Sequence, residues 1–175
     1  MSRVTQEKID LPEDVDVKVS GKTVEVSGKK GKISRDFSPK LKIKLEGRSI
    51  LAEIESVRRK DRAMVGTFKA HILNMIKGVS DGFVYKLRVV YSHFPITVKV
   101  EGNRVAIHNF LGERSPRIAE IVGDVKVEVS GDDIFVRGIN KDEVGQTAYN
   151  IEQATLVRYK DRKTFQDGCY IVERS

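Results

Sequence analysis

Cysteine occurs once in the 175 residues, at Cys169. A single thiol excludes an intrachain disulfide and a cysteine-built zinc cluster, and it fits a reducing cytosol. Tryptophan is absent and glutamine is scarce, whereas lysine and glutamate are plentiful, a balance that also suits the surface ion pairs of a thermophile. Apolar runs are only a few residues long, and the segment from Met1 to Asp10 is charged. Neither a membrane span nor an export signal is therefore expected. Acidic residues are outnumbered 25 to 32, for a net charge of +7 and a pI near 9.5. A surface of that sign attracts polyanions before any specific contact forms, so nucleic acid is the first partner to consider. Basic charge that serves solubility alone is the blander alternative. Hydrophobic residues make up 39% and charged residues 33%, enough to bury a core beneath a highly charged surface. The length allows one large domain or two small ones.

The chain repeats itself. Val15 to Gly21 aligns with Ile96 to Gly102, and the register continues through Val24 with Val105, Val26 with Ile107 and Gly31 with Gly112, an offset of 81. Leu41, Ile43, Leu45, Gly47 and Ile50 match Val125, Val127, Val129, Gly131 and Ile134 at an offset of 84. Val65, Gly66, Phe68, Ile72 and Met75 match Val144, Gly145, Thr147, Ile151 and Ala154 at an offset of 79. Three blocks in the same order with nearly constant spacing indicate duplication, with a boundary near Gly82. The domains are therefore expected at 1–82 and 83–175, the second carrying a tail, 158–175, that has no counterpart in the first.

Within each copy the apolar period is two and then becomes helical. Val15, Val17 and Val19 turn at Gly21-Lys22 into Val24 and Val26, and a second turn at Gly28 to Gly31 leads to Ile33 through Phe37. Leu41, Ile43 and Leu45 then pair through Gly47 with Ile50, Ala52 and Ile54. Met64, Phe68, Ile72, Met75 and Ile76 fall on one helical stripe, which predicts a helix from about Arg62 to Lys77, with Asp61 as N-cap and Gly78 just past its end. The second copy opens with an added strand, Phe83 to Tyr91. Its helix starts after Asn140, which with Glu143 resembles a capping box, and runs to about Val157 with Val144, Ala148, Ile151 and Ala154 inward. The fold class is α+β: two duplicated domains, each an antiparallel sheet of short strands packed against one helix.

Several basic constellations bear on function. The tail from Arg158 to Ile171 interleaves Arg158, Lys160, Arg162 and Lys163 with Tyr159, Phe165 and Tyr170, a mixture able to neutralise phosphates and stack on unpaired bases. Phe165, Tyr170 and Ile171 are expected to pack back as a final strand. Seven basic residues (Lys29, Lys30, Lys32, Arg35, Lys40, Lys42, Lys44) face Asp36 alone between Gly28 and Lys44. The Gly28 to Lys32 segment lacks the spacing of a phosphate-binding loop and leads into a strand, so it reads as a hairpin tip. Lys40, Lys42 and Lys44 serve equally well as a charged edge that deters aggregation. Arg58 to Arg62 lies at the entry to the first helix, either clasping phosphates or simply solvated. In the strand beginning at Phe83, Tyr85, Leu87, Val89 and Tyr91 share one face, with Lys86 and Arg88 opposite.

Catalysis finds no local support. His71, His93 and His108 are far apart and lack metal-ligand spacing with a carboxylate or Cys169, and Asp132-Asp133 reads as a solvated turn. No metal, cofactor or small-molecule substrate is expected.

Three segments resemble a known family, the archaeal and eukaryotic branch of the large-subunit ribosomal protein L-six. They are Gly82 to Pro95 (GFVYKLRVVYSHFP), Asn109 to Glu113 (NFLGE), and the tail from Gln153 ending Phe165-Gln166-Asp167-Gly168-Cys169-Tyr170-Ile171. Together with the duplication, the resemblance covers essentially the whole chain. Two departures are Lys163, where arginine is expected and a bidentate fork is lost, and Cys169, where an aliphatic residue is expected. The resemblance implies two similar α+β domains without enzymatic activity. It also implies binding to large-subunit ribosomal RNA, a cytoplasmic location in the ribosome, and neighbouring ribosomal proteins near the stalk base, factor-binding region and subunit interface. Lys160, Arg162 and Lys163 become the leading RNA contacts, joined in the second copy by Arg158, Lys86, Arg88, Arg114 and Arg117. Charge points elsewhere: 18 basic and 12 acidic residues lie through Gly82, and 14 and 13 lie beyond it. Lys29, Lys30, Lys32 and Arg35 are therefore kept as a second contact. The rival class is an adaptor that binds acidic proteins, its basic loops serving electrostatic steering.

Overall fold

The alternating segments form antiparallel strands and the two helical stripes form helices. The computed structural model describes residues 3–56, 58–161 and 163–175, and the chain divides into a unit ending at Gly82 and a unit beginning at Phe83.

The first unit runs β1 (Arg3–Asp10), β2 (Asp16–Ser20), β3 (Thr23–Gly28), β4 (Gly31–Asp36), β5 (Lys42–Glu46), β6 (Ser49–Ser56) and α1 (Arg59–Ser80). Its strands form two three-stranded sheets, ordered β1-β6-β5 and β2-β3-β4. Val65, Phe68, Ile72 and Val79 of α1 are buried with Val24, Val26, Ile50 and Ile54 in one core. Each such fully buried side chain contributes about 2 kcal/mol of hydrophobic stabilisation. Phe37 adds an edge-on contact to Phe68, with ring centroids 4.6 Å apart.

The second unit repeats this order: β7 (Phe83–Val90), β8 (Thr97–Glu101), β9 (Arg104–His108), a 3-10 turn (Phe110–Gly112), β10 (Arg117–Glu120), β11 (Lys126–Ser130), β12 (Asp133–Gly138), α2 (Lys141–Ala154) and β13 (Gly168–Arg174). Its sheets are β10-β9-β8 and β11-β12-β7-β13. The strand at Phe83 is not an addition. β1 pairs antiparallel with β6 as β7 pairs with β12, so β1 is its counterpart, hidden in the sequence because charged residues interrupt its apolar pattern. What the second unit adds is β13, which pairs with the other edge of β7. Gly112 lies in the connection equivalent to the Gly28–Gly31 hairpin tip, but that connection is longer and contains the 3-10 turn.

Helix ends depart from expectation for local reasons. Asp61 lies inside the first turn of α1, where its charge suits the helix N-terminus. Its carboxylate accepts from Ser56 Oγ at 2.9 Å and pairs with Lys40 at 3.3 Å; these contacts, Ser56 foremost, lower its pKa. Gly78 is buried within α1 rather than beyond it. The chain leaves the helix at Gly82, whose φ of 74° no other residue type adopts as easily, and the amides of Asp81 and Gly82 both donate to Lys77 O. Asn140 caps α2 by accepting from Asp142 N at 3.1 Å. Glu143 accepts from the Asn140 side-chain amide at 2.9 Å instead of from its backbone, so no capping box forms. α2 ends at Ala154, short of Val157, where the Thr155 hydroxyl turns back onto Glu152 O at 3.1 Å and accepts from Cys169 N at 2.9 Å.

Candidate nucleic-acid interface

The loop between α2 and β13 holds the tail's basic residues on an internal frame. Asp161 closes it: its Oδ1 accepts from Lys163 N at 3.0 Å, and its carbonyl accepts from Thr164 N and Phe165 N at 3.2 and 2.9 Å. That turn sends the half-buried Phe165 toward the core, where its ring stacks on His93 with centroids 4.5 Å apart and planes 18° from parallel. Lys160 Nζ lies 4.5 Å from the Phe165 centroid, a cation–π distance.

Beneath this stack Asp167 is 1% exposed. It accepts from Ser92 N at 2.8 Å, His93 N at 3.2 Å and His93 Nδ1 at 2.8 Å. Burial pushes its pKa up, but the Ser92 and His93 amides together with the imidazole more than offset this and hold it at about 2. An ionised carboxylate only accepts, so Nδ1 is the imidazole nitrogen that carries hydrogen toward Asp167. Ser92-His93 and Phe165-Gln166-Asp167, which lie in two separate segments of the family resemblance, thus form one structural joint. His93 is therefore not a lone histidine.

On this base the loop displays Arg158, Lys160 and Lys163 as exposed side chains; Arg162 lies outside the described residues. Between them Tyr159 is 102% exposed, with a left-handed φ of 60°. Tyr170 (42% exposed) and Tyr91 (44%) also face outward rather than packing inward. Tyr91 lies just past the end of β7, and Tyr170 alternates with the buried Cys169 on β13. Phe165 and Ile171 do pack against the core.

The remaining expected contacts are engaged to different degrees. Asp133, read as part of a solvated turn, pairs with Lys86 at 2.9 Å and Arg88 at 3.1 Å, and these two cations lower its pKa. Arg114 is exposed. Arg117 is tied into the fold: Nε and Nη2 fork onto Glu113 at 2.8 and 2.7 Å, and Nη1 donates to Ala154 O and Leu156 O at 3.0 and 3.2 Å. Its guanidinium also lies 4.2 Å from the centroid of the buried Phe110. A cation against the Ala154 carbonyl, the last of α2, complements the helix dipole, and Glu113 holds that cation in place.

In the first unit, the Lys29 ammonium pairs with Asp14 at 2.6 Å. Lys30 donates its amide to Val79 O at 2.9 Å and its ammonium to Asp81 O, pinning the hairpin tip to the end of α1. Lys32 is exposed, 4.0 Å from Glu25, and Arg35 is half-buried on β4. Arg58, Arg59 and Lys60 are exposed at the start of α1. Among the described residues no cluster of metal-ligating side chains occurs, and no helix is long and apolar enough to cross a membrane.

A family model described as ribosomal protein L6 matches residues 11–82 and 94–168, one match within each unit. The chain belongs to the ribosomal protein L6 family. Its relatives include the large ribosomal subunit protein uL6 of Methanothrix thermoacetophila, 58% identical over 95% of this chain and 96% of the relative. The uL6 of Staphylothermus marinus is 54% identical over 95% and 93%, and that of Aeropyrum pernix 52% identical over 96% and 93%. These ribosomal protein L6 relatives are archaeal, and the family is structural rather than enzymatic. The Ser92–Asp167 joint escaped the sequence reading because its two halves lie 75 residues apart. Tyr159 carried a signal, an aromatic between two cations, but nothing local set it apart from Phe165 and Tyr170.

Proposed function

We propose that this chain is a structural component of the large ribosomal subunit that binds large-subunit ribosomal RNA chiefly through the loop between α2 and β13. The observation that carries this reading is that Arg158, Lys160 and Lys163 stand exposed around a fully exposed Tyr159 on a frame anchored by buried Asp167. Cations neutralise phosphates, a presented aromatic stacks on an unpaired base, and a loop already held in shape loses little entropy on binding. In keeping with the family, the binding site lies near the stalk base, the factor-binding region and the subunit interface, with ribosomal proteins as neighbours and the cytoplasm as location. Lys29, Lys30, Lys32 and Arg35 form a secondary contact, as do Lys86, Arg88 and Arg114. Arg117 acts through the fold. Removing the whole tail would also remove β13, so substitutions are the cleaner test.

The experiment is affinity for purified large-subunit RNA across a salt series, comparing the intact chain, Lys160→Ala/Lys163→Ala and Lys29→Ala/Lys32→Ala. Counterion release predicts that the tail double variant flattens the log–log salt slope by about two. A larger loss from the Lys29/Lys32 pair would move the principal RNA surface to the first unit, and unchanged slopes in both would defeat the reading.

A further inference from the structure

A cleft of about 190 Å³ opens between the last turn of α2, the root of the basic loop and the start of β13. Leu156 and Val157 form apolar walls, and Phe165 and Tyr170 supply aromatic ones. Glu152, Gln153 and Thr155 supply its polar lining. The volume equals that of roughly six waters in the liquid, room for one flat heterocycle and too little for a folded helix. No side chain among the described residues fills it, although filling an apolar recess is ordinarily stabilising.

We propose that this cleft receives one unpaired RNA base that carries an exocyclic amino group, while the phosphates on either side meet the loop cations. The proposal rests on the tail being an RNA contact, as argued above. Four observations converge on it. The occupant must be apolar on its faces, because the walls are aliphatic and aromatic. It must be tethered to negative charge, because Arg158, Lys160 and Lys163 stand exposed on the loop rooted at the same place. Tyr170 is 42% exposed with its hydroxyl donating to Gln166 O at 3.1 Å; the ring is thus held in place while remaining open to solvent, as a stacking partner should be. Glu152 supplies an acceptor among the lining residues. One of its oxygens accepts from Ile171 N at 3.3 Å, which orients the carboxylate, and a carboxylate retains capacity for further donors. An amino-bearing base supplies such a donor, whereas uracil presents a carbonyl oxygen at the equivalent position of its ring.

The test uses the full chain, labelled with ¹⁵N, titrated with hexacytidylate, hexauridylate and an abasic ribose-phosphate hexamer. Hexacytidylate is expected to bind about tenfold more tightly than the abasic oligomer and to shift the amides of Leu156, Val157 and Tyr170. Hexauridylate should be weaker by several-fold, and Glu152→Gln should narrow the cytidine-to-uridine difference. Tyr170→Ala, which removes an exposed ring, should lower hexacytidylate affinity about tenfold and leave the abasic oligomer unchanged. Equal binding of all three oligomers, with shifts confined to Arg158, Lys160 and Lys163, would overturn the base cleft while leaving the tail as an RNA contact. Failure of the oligomers and of large-subunit RNA alike would overturn both.

Discussion

His93 and Asp167 meet at 2.8 Å through Nδ1 and a carboxylate oxygen that is almost wholly removed from solvent. The contact joins the segment after β7 to the residue before β13, so the basic loop is anchored to the core rather than attached as a tail. Its stability and its RNA affinity can therefore be probed separately.

Asp167 should make the second unit acid-sensitive. Its carboxyl pKa is lowered in the fold from 3.8 to about 2, so the stability it confers is fully present above about pH 4 and is lost as pH falls through about 2. The shift corresponds to about 2 kcal/mol. Urea titrations between pH 2 and 6, followed by amide exchange in β7 and β13, should show that increment in the intact chain and not in Asp167→Asn. Identical pH slopes would remove the joint's electrostatic role.

Tyr159 offers the opposite separation. Because its ring touches solvent on all sides, Tyr159→Ala should leave unfolding free energy within about 0.5 kcal/mol while lowering affinity for large-subunit RNA about tenfold. The paired measurements are a denaturation curve and a binding isotherm. A loss confined to stability would make the residue part of the loop's frame.

Arg117 should behave as a fold residue. Replacement by alanine strands the Ala154 and Leu156 carbonyls and leaves Glu113 without its fork, at a cost of about 2 kcal/mol to the second unit. RNA affinity per folded molecule should hold, and lysine should rescue only part of the stability because a point charge cannot reproduce the fork. A salt slope that drops by about one in the folded variant would instead make Arg117 a phosphate contact.

Gly28 tests the hairpin tip. A Cβ there would stand 2.8 Å from Val79 Cγ2 and 3.0 Å from Val79 O, so Gly28→Ala should destabilise the first unit by about 1–3 kcal/mol. An unchanged melting profile would mean that the turn can lift from α1 without cost.

Cys169 should resist modification. Burial pushes its thiol up to about 12, so neither a thiolate nor access is available in the folded chain. Alkylation should follow global unfolding; rapid labelling of native protein would contradict that burial.

Much of this architecture was legible from periodicity. Val24 and Val105, Val65 and Val144, and Ile72 and Ile151, paired by offset alone, are each 0% exposed. Strand β1 was not legible, because Thr5, Glu7 and Lys8 break its pattern and only pairing with β6 makes it a strand. Asp61 looked like a cap because residue type cannot distinguish a cap from a first-turn acid; Ser56 and Lys40 decide that in space. At the candidate site, composition exposed the cations but not their engagements. Lys160 and Arg117 read alike as candidate basic contacts, yet one faces solvent over Phe165 and the other is held by the Ala154 and Leu156 carbonyls and the Glu113 carboxylate. Such differences arise from long-range packing, which neither charge nor spacing encodes.

The placement of β13 bears on synthesis. The first unit draws its strands and helix from a continuous stretch that closes at Gly82, so it can finish folding while the rest of the chain is still being made. The loop is different: its brace is Asp167 and its flanking strand reaches Arg174, both of which emerge after the cations they support. A nascent chain that has exposed Arg158 to Lys163 but not yet β13 carries the charges without the frame. The loop becomes a shaped surface only once β13 has been translated.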